Sequence, residues 1–201
     1  MIKAIFFDQD NTLVNTREIA PEVYKNAIGD EVLWQKWREV VERVKHSTNP
    51  VERTFEYSLS QIIDDKELVE NILEKGKAEL GRLIQLNPGV CDFFANKIEG
   101  VKYILFTEDF DEQTNIKLNK FGLVEKFDLI VKSSDVGAMK PNIKYLELAW
   151  KKFSLDPKEC LYIGDNYEKD CRLGIENGGK GLVFGVDFTD FSQLGELLSK
   201  M

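Results

Sequence analysis

Two aspartates, Asp8 and Asp10, follow directly after the first apolar segment of the chain, where residues 5–14 read IFFDQDNTLV. The apolar run predicts a buried β-strand, and open α/β sheets bind their ligands beyond the carboxyl ends of such strands. Because side chains alternate along a strand, we expect both carboxylates on one side and Gln9 on the other. Two carboxylates aimed at one small volume repel each other unless a cation lies between them or one holds a proton. The pattern predicts a chemical site, although a strand ending in a polar turn also fits this peptide taken alone.

Three later segments place further polar side chains at or near the ends of apolar runs. Residues 101–106 predict a second strand, and Thr107 follows it directly. Lys140 lies in the segment GAMKP, and the apolar residues LYI lead into GDNYEKD, which carries Asp165 and Asp170. Taken singly, Thr107 fits a strand-end hydroxyl and Lys140 fits a solvated surface lysine. Their order and their strand-end positions indicate a shared site instead.

The four aspartates would bring four negative charges close to one point, and Lys140 would offset one of them. Such a cluster calls for a divalent cation. Oxygen ligands favour Mg²⁺ over Zn²⁺, and Mg²⁺ typically takes one or two carboxylates together with waters and a substrate phosphate oxygen. The ion and Lys140 would also neutralise a phosphate group that an acidic pocket otherwise repels. Thr107 would add a neutral hydrogen-bond donor.

These segments resemble the four motifs of the haloacid dehalogenase superfamily. Residues 8–12, DQDNT, resemble its first motif, Asp-x-Asp-x-Thr, and Thr107 is similar to its phosphate-binding Thr/Ser. Lys140, followed by a proline, and residues 164–170, which fit Gly-Asp-x-x-x-x-Asp, resemble the remaining two motifs. The matches occur in the family's order and extend over nearly the whole chain, so the resemblance is specific.

The resemblance implies phosphoryl transfer through an aspartyl-phosphate intermediate. Asp8 would attack phosphorus as the nucleophile. Asp10 would protonate the leaving oxygen and then accept a proton from the hydrolytic water. Thr107 and Lys140 would hold the phosphoryl oxygens. The substrate would be a small phosphorylated metabolite.

The resemblance also implies a magnesium site formed by the Asp8 side chain, the Asp10 backbone carbonyl and Asp165, with Asp170 supporting the ion indirectly or through water. The family's dehalogenases, which cleave carbon–halogen bonds, lack the second aspartate of the first motif and do not use magnesium. Since this chain carries both aspartates, a dehalogenase is disfavoured.

A magnesium-dependent phosphatase is the leading interpretation, and two alternatives stay open. A phosphotransferase, such as a sugar-phosphate mutase of the same fold, would use the same four motifs. A phosphate-binding module without turnover would be expected to lack Asp8 or Asp10, and both are present. Two residues depart from the family pattern: Gln9 where an apolar residue is common, and Glu108 where a small or amide residue is common. A glutamate beside a phosphate is repulsive unless it points away or meets a cation.

The predicted elements indicate an α/β fold with a Rossmann-like parallel sheet, helices on both faces and an inserted all-helical cap. Apolar strands near 101–106, 127–131, 160–163 and 180–184 alternate with helices, which predicts a parallel sheet. Residues 16–86 show helical periodicity alone. We therefore expect a catalytic core of residues 1–15 and 87–201, and a cap of residues 16–86.

Composition limits the classes of function. The 201 residues carry a formal net charge of −8, and no basic stripe offsets it, which argues against nucleic-acid or anionic-membrane binding. No apolar run approaches the ~20 residues of a membrane span. The predicted first strand begins close to Met1 and leaves no room for a signal peptide, so we expect a cytoplasmic protein. Three cysteines without a paired spacing and a single histidine make a disulfide framework or a multi-histidine zinc site improbable. The sequence leaves the oligomeric state open.

Overall fold

The computed structural model describes residues 1–200, which form one five-stranded sheet and ten α-helices. All strand pairs are parallel, and the strand order is β3-β2-β1-β4-β5. The strands are β1 (Ala4–Phe7), β2 (Lys102–Phe106), β3 (Leu129–Val131), β4 (Cys160–Gly164) and β5 (Lys180–Val183). The helices of the amino-terminal half are α1 (Ala20–Ile28), α2 (Glu31–Val44), α3 (Phe55–Ser60), α4 (Lys66–Leu83) and α5 (Val90–Ala95). Those that follow are α6 (Asp111–Lys120), α7 (Ser133–Val136), α8 (Lys144–Phe153), α9 (Arg172–Glu176) and α10 (Leu194–Ser199).

Both faces of the sheet are covered by helices, which explains why the strands are apolar throughout rather than alternating. On one face, Ile5 and Phe7 of β1 pack in a buried cluster with Phe94 of α5. On the other face, Phe6 packs with Tyr145 of α8 in a second buried cluster. The predicted α/β fold with a doubly covered parallel sheet is confirmed.

Helices α1 to α4 occupy the chain between β1 and α5 and have a buried cluster of their own, built around Trp37, Leu59 and Ile72. Helix α2 begins at Asp30, whose side chain accepts a hydrogen bond from a first-turn backbone N–H, and α4 begins at Asp65 in the same way. The two connections to the sheet run side by side. Asn15 N–H donates to the Gln85 carbonyl at 3.0 Å, and Val14 forms an antiparallel bridge with Leu86.

Within residues 1–200, no helix is both long and apolar enough to cross a lipid bilayer. The longest helix, α4, has 18 residues and carries charged residues along its length.

Close packing of α9 against β4 requires a glycine. A Cβ added at Gly174 would lie 2.2 Å from a ring carbon of Tyr162, which is fully buried. We expect Gly174→Ala to lower the free energy of unfolding by about 1–3 kcal/mol, because the ring and the helix must separate. Gly195→Ala is the matched control, since a Cβ there meets nothing within 4 Å. Because alanine favours a helix over glycine, this variant should raise the free energy of unfolding by about 0.5–1 kcal/mol. Denaturant unfolding measures both. Equal stability of the two variants would contradict the close packing.

Candidate active site

Asp8 lies directly after strand β1, at the carboxyl edge of the sheet. Asp8 N–H donates to the Ile163 carbonyl at 2.8 Å, so the residue continues the ladder one position beyond β1. Asn11 then turns the chain with a positive φ of 61°, a conformation that asparagine tolerates. After this turn, the buried Thr12 hydroxyl donates to Asp8 Oδ2 at 2.9 Å. Strand and turn together fix the orientation of the Asp8 carboxylate.

Lys140 bridges two buried aspartates. Its Nζ donates to Asp8 Oδ1 at 2.5 Å and to Asp170 Oδ1 at 2.6 Å, and the lysine side chain is 3% exposed. The ammonium also lies 4.3 Å from the ring centroid of Phe106. Burial lowers the pKa of Lys140, but the two carboxylates outweigh it and raise the pKa above its ordinary value. Lys140 is therefore a buried cation at the centre of the site.

Asp8, Asp165 and Asp170 bring carboxylate oxygens within 4.8 Å of one another. Burial, together with the neighbouring Asp170 carboxylate, raises the pKa values of both Asp8 and Asp165. Asp165 pairs with Arg17 at 2.7 Å, and Asp170 Oδ2 accepts a hydrogen bond from Asn166 N–H at 3.0 Å. Such a set of converging oxygens has the donor chemistry that a hard divalent cation prefers.

Gly164, the last residue of β4, makes this convergence possible. A Cβ at that position would lie 2.3 Å from the Asp170 side chain. Asp170 itself belongs to a π-helical turn, Tyr167–Cys171, which carries its carboxylate back over the strand end. The glycine of the Gly-Asp-x-x-x-x-Asp segment is thus required by the space that the second aspartate occupies.

Asp10 stands apart from this group and contacts a different lysine. Lys117 Nζ, on α6, donates to Asp10 Oδ1 at 2.6 Å and to Asp109 Oδ2 at 2.5 Å. The Lys117 side chain is 6% exposed, whereas that of Asp10 is 32% exposed. Burial and the adjacent Asp10 carboxylate raise the pKa of Asp109 to about 6, although Lys117 opposes the shift. The carboxylates of Asp10 and Asp109 raise the pKa of Lys117 despite its burial.

Thr107 and Glu108 follow β2. Thr107 is buried, and its hydroxyl oxygen accepts a hydrogen bond from Asp109 N–H at 3.1 Å, which leaves the hydroxyl proton available as a donor. The negative charge of Glu108 is balanced by neighbouring groups. Its carboxylate accepts from Lys140 N–H at 2.9 Å and from Lys169 Nζ at 2.7 Å, and Arg53 Nη1 lies 4.0 Å away.

Gln9, between the two aspartates in the chain, contacts helix α6. Its side chain is fully buried, and Nε2 donates to the Thr114 carbonyl of α6 at 3.4 Å. Within the described residues, the Gln9 Oε1 atom and the Thr114 hydroxyl have no hydrogen-bond partner. Gln9 therefore contacts the backbone of α6, the helix that also carries Lys117.

A cavity of about 860 Å³ opens between helices α1, α3 and α4 and the carboxyl edge of the sheet. The predicted site residues Asp8, Asp10, Lys140, Asp165 and Asp170 line it from the sheet side. The helical side contributes apolar side chains such as Val23, Tyr24, Phe55 and Leu73, together with Arg53.

Lys117 and Asp109 lie in the site but are not among the residues that the sequence predicted for it. Asp109 lies in the turn between β2 and α6, and Lys117 lies in the last turn of α6, where no motif distinguishes either from other charged residues. Lysine is almost never fully buried unless it is paired, so sequence alone predicts an exposed Lys117. Its pairing with Asp10 becomes evident only in the structure.

The site and the parallel sheet define a class of protein, and comparisons with known proteins agree with it. Residues 5–182 match the family described as haloacid dehalogenase-like hydrolase. The chain belongs to this family.

Relatives and solved structures extend this result. The chain is 29% identical to a glyceraldehyde 3-phosphate phosphatase of Methanopyrus kandleri, over 86% of this chain and 79% of the relative. It is 27% identical to the pyrophosphatase PpaX of Halalkalibacterium halodurans, over 92% and 84% of the two chains. Magnesium-bound YfnB of Bacillus subtilis superposes with a TM-score of 0.75 at 16% identity, covering 98% of this chain and 99% of YfnB. The predicted enzyme class, a hydrolase of the phosphatase type, is confirmed.

Removal of Lys140 should be costly to stability as well as to activity. Lys140→Met leaves Asp8 and Asp170 buried without a counter-charge, so we expect the free energy of unfolding of the metal-free protein to fall by about 3–5 kcal/mol. Adding Asp170→Asn should recover part of that loss, because one unpaired charge is removed. Lys151→Met, at an exposed lysine of the neighbouring helix, should change stability by less than about 0.5 kcal/mol. Urea unfolding in chelator gives the values, and strictly additive losses in the double variant would argue against the bridge.

Proposed function

We propose that this chain is a magnesium-dependent phosphatase that hydrolyses a small phosphomonoester through an aspartyl-phosphate on Asp8. The observation that carries the proposal is the position of Asp8, which is held at the carboxyl edge of the sheet between Lys140 and the carboxylates of Asp165 and Asp170. Ligands of open parallel sheets bind at this edge. The family membership and the phosphatase relatives support the same reaction.

The donor set fits Mg²⁺. Three carboxylates converge within 4.8 Å, all their ligand atoms are oxygen, and the negative charge exceeds what Lys140 neutralises. The Asp8 and Asp165 side chains and the Asp10 backbone carbonyl would hold the ion, with Asp170 in support. A bound Mg²⁺ would supply positive charge to a phosphoryl oxygen and favour the ionised form of Asp8.

Phosphoryl transfer then uses the two aspartates of the first motif in opposite roles. An oxygen of ionised Asp8 attacks phosphorus, the bond from phosphorus to the leaving oxygen breaks, and the Asp10 carboxyl gives its proton to that oxygen. In the second step a water attacks the phosphoryl group and gives a proton to Asp10. The bond between Asp8 and phosphorus breaks, which releases inorganic phosphate and restores both residues.

Thr107 and Lys140 hold the phosphoryl group during both steps. The free hydroxyl proton of Thr107 donates to one oxygen, and the Lys140 ammonium offsets the charge of the others. The Glu108 carboxylate accepts a hydrogen bond from the backbone N–H of Lys140 and so helps to position that lysine. The glutamate, although unusual for the family, is therefore directed at Lys140 and does not repel the phosphate.

Residues 16–86 serve as a cap that closes over the phosphate site, and residues 1–15 and 87–201 serve as the catalytic core. The separate apolar cluster of α1 to α4 and the cavity beneath them support this division. The paired connections at Asn15 and Gln85 form a narrow junction about which the cap can move. Closure would exclude water and complete the substrate contacts. Selection among small phosphorylated metabolites therefore depends on the cap.

Metal dependence provides the first test of the proposal. Hydrolysis of metabolite phosphates and of 4-nitrophenyl phosphate should stop in chelator and return with Mg²⁺, because the carboxylates otherwise repel the phosphate. In the absence of substrate, Mg²⁺ should raise the Tm of the parent, because it binds the folded state. It should change the Tm of Asp165→Asn little. Asp92→Asn, at an exposed acid of α5, is the matched control and should respond as the parent does. Undiminished phosphate release in chelator would refute the assignment. Transfer of the phosphoryl group to a second metabolite, without phosphate release, would indicate a phosphotransferase.

The roles of Asp8 and Asp10 should separate in covalent labelling. Asp8→Asn should form no phosphoryl adduct, because an amide oxygen is a poor nucleophile. Asp10→Asn should still form an adduct from an acyl or aryl phosphate, whose leaving group needs no proton, and should then lose it slowly. Intact-mass measurement after mixing detects the adduct as an added phosphoryl group. An adduct on Asp8→Asn, or rapid turnover of an alkyl phosphate by Asp10→Asn, would reverse the assignment.

A further inference from the structure

Lys117 and Asp109 have no counterpart among the four motifs, yet they contact Asp10 directly. Lys117 Nζ lies 2.6 Å from Asp10 Oδ1 and 2.5 Å from Asp109 Oδ2. The backbone N–H of Asp109 in turn donates to the Thr107 hydroxyl oxygen at 3.1 Å. A continuous set of polar contacts thus joins the residue proposed to hold the phosphoryl group to the residue proposed to protonate the leaving oxygen.

Stability does not account for a lysine at this position. Removing a lysine and two carboxylates from water is costly, and hydrophobic replacements of similar volume are often neutral or stabilising. Neighbouring Leu118 is fully buried in the apolar cluster beneath the sheet, so α6 already has apolar anchoring. Since the Lys117 ammonium is directed at Asp10 and the Asp10 side chain is still 32% exposed to the cavity, the contact points to a role in the site.

We propose that Lys117, braced by Asp109, is a positioning residue that holds the Asp10 carboxyl toward the leaving oxygen of the substrate. The inference rests on the proposed function. Lys117 engages one oxygen of Asp10, which restricts rotation of the carboxyl group. Because Lys117 also donates to Asp109, its positive charge is shared between the two carboxylates. Proton transfer requires the donor to lie within hydrogen-bond reach of the leaving oxygen, so a freely rotating Asp10 would protonate it less often.

A positioning role predicts a dependence on the leaving group that a general structural defect would not produce. The test uses substituted phenyl phosphates from 4-nitrophenyl to unsubstituted phenyl phosphate, whose leaving phenols become steadily more basic. The ratio kcat/KM reports steps up to departure of the phenol, so slow hydrolysis of the phosphoryl-enzyme does not affect it. In Lys117→Met, kcat/KM for phenyl phosphate should fall by at least about tenfold relative to that for 4-nitrophenyl phosphate.

Two comparisons complete the experiment. Lys120→Met, at an exposed lysine three residues further along α6 whose ammonium contacts backbone carbonyls, should keep the parent's leaving-group dependence. Asp10→Ala should show the steeper dependence by itself, and adding Lys117→Met to it should steepen it no further, because Lys117 acts through Asp10. If Lys117→Met does not fold, Asp109→Asn replaces it and should shift the dependence in the same direction by a smaller factor.

The outcomes separate this inference from the proposed function. Uniform loss across the phenyl phosphates, or no loss at all, in Lys117→Met would overturn the positioning role and leave the phosphatase proposal intact. Further steepening in the double variant would also overturn it, because Lys117 would then act independently of Asp10. Failure of the parent to hydrolyse any member of the series, with or without Mg²⁺, would instead contradict the proposed function.

Discussion

Concentration of negative charge at one edge of the sheet is the constraint on which the rest of the structure depends. Strand ends and the turns after them bring together five carboxylates, those of Asp8, Asp10, Asp109, Asp165 and Asp170. Burial makes their repulsion stronger than it would be in water. Counter-charges therefore have to come from elsewhere in the fold, and the helices and loops around the sheet supply them.

The counter-charges divide the edge into two parts. Lys140 joins Asp8 to Asp170, and Lys117 joins Asp10 to Asp109, so each aspartate of the first motif has its own buried lysine. This division matches the proposed chemistry, in which one aspartate attacks phosphorus as an anion and the other transfers a proton. Proteins give two carboxyl groups different chemical roles by placing them in different environments.

Residues 16–86, which we propose form a cap, contact the same cluster of charges. Arg53, from the helical segment, approaches Glu108 at 4.0 Å, and Arg17, from the connection after β1, pairs with Asp165 at 2.7 Å. Arg17 is mostly exposed, whereas the carboxylates of Asp165 and Glu108 are largely shielded from solvent. These two arginines thus lie at the charged edge of the site, whereas the apolar cluster of α1 to α4 is separate from the cluster beneath the sheet.

Sequence patterns alone predicted the parallel sheet, its alternation with helices, the all-helical stretch of residues 16–86 and the order of the four motifs. These features follow from local periodicity and from residue types at strand ends, which neighbouring residues along the chain dictate. The clustering of Asp8 and Asp165 also followed, because carboxyl ends of parallel strands meet at one edge, whereas Lys140 lies beyond α7 and was placed with them by the order of the motifs.

The pairing of charged side chains, in contrast, depends on how the elements pack in three dimensions. Lys117 resembles any lysine in the last turn of a polar helix, and its contact with Asp10 joins residues 107 positions apart in the chain. The partner of Glu108, Lys169, lies 61 positions away along the chain. Such contacts join residues distant in sequence, and no local pattern records the distance between them.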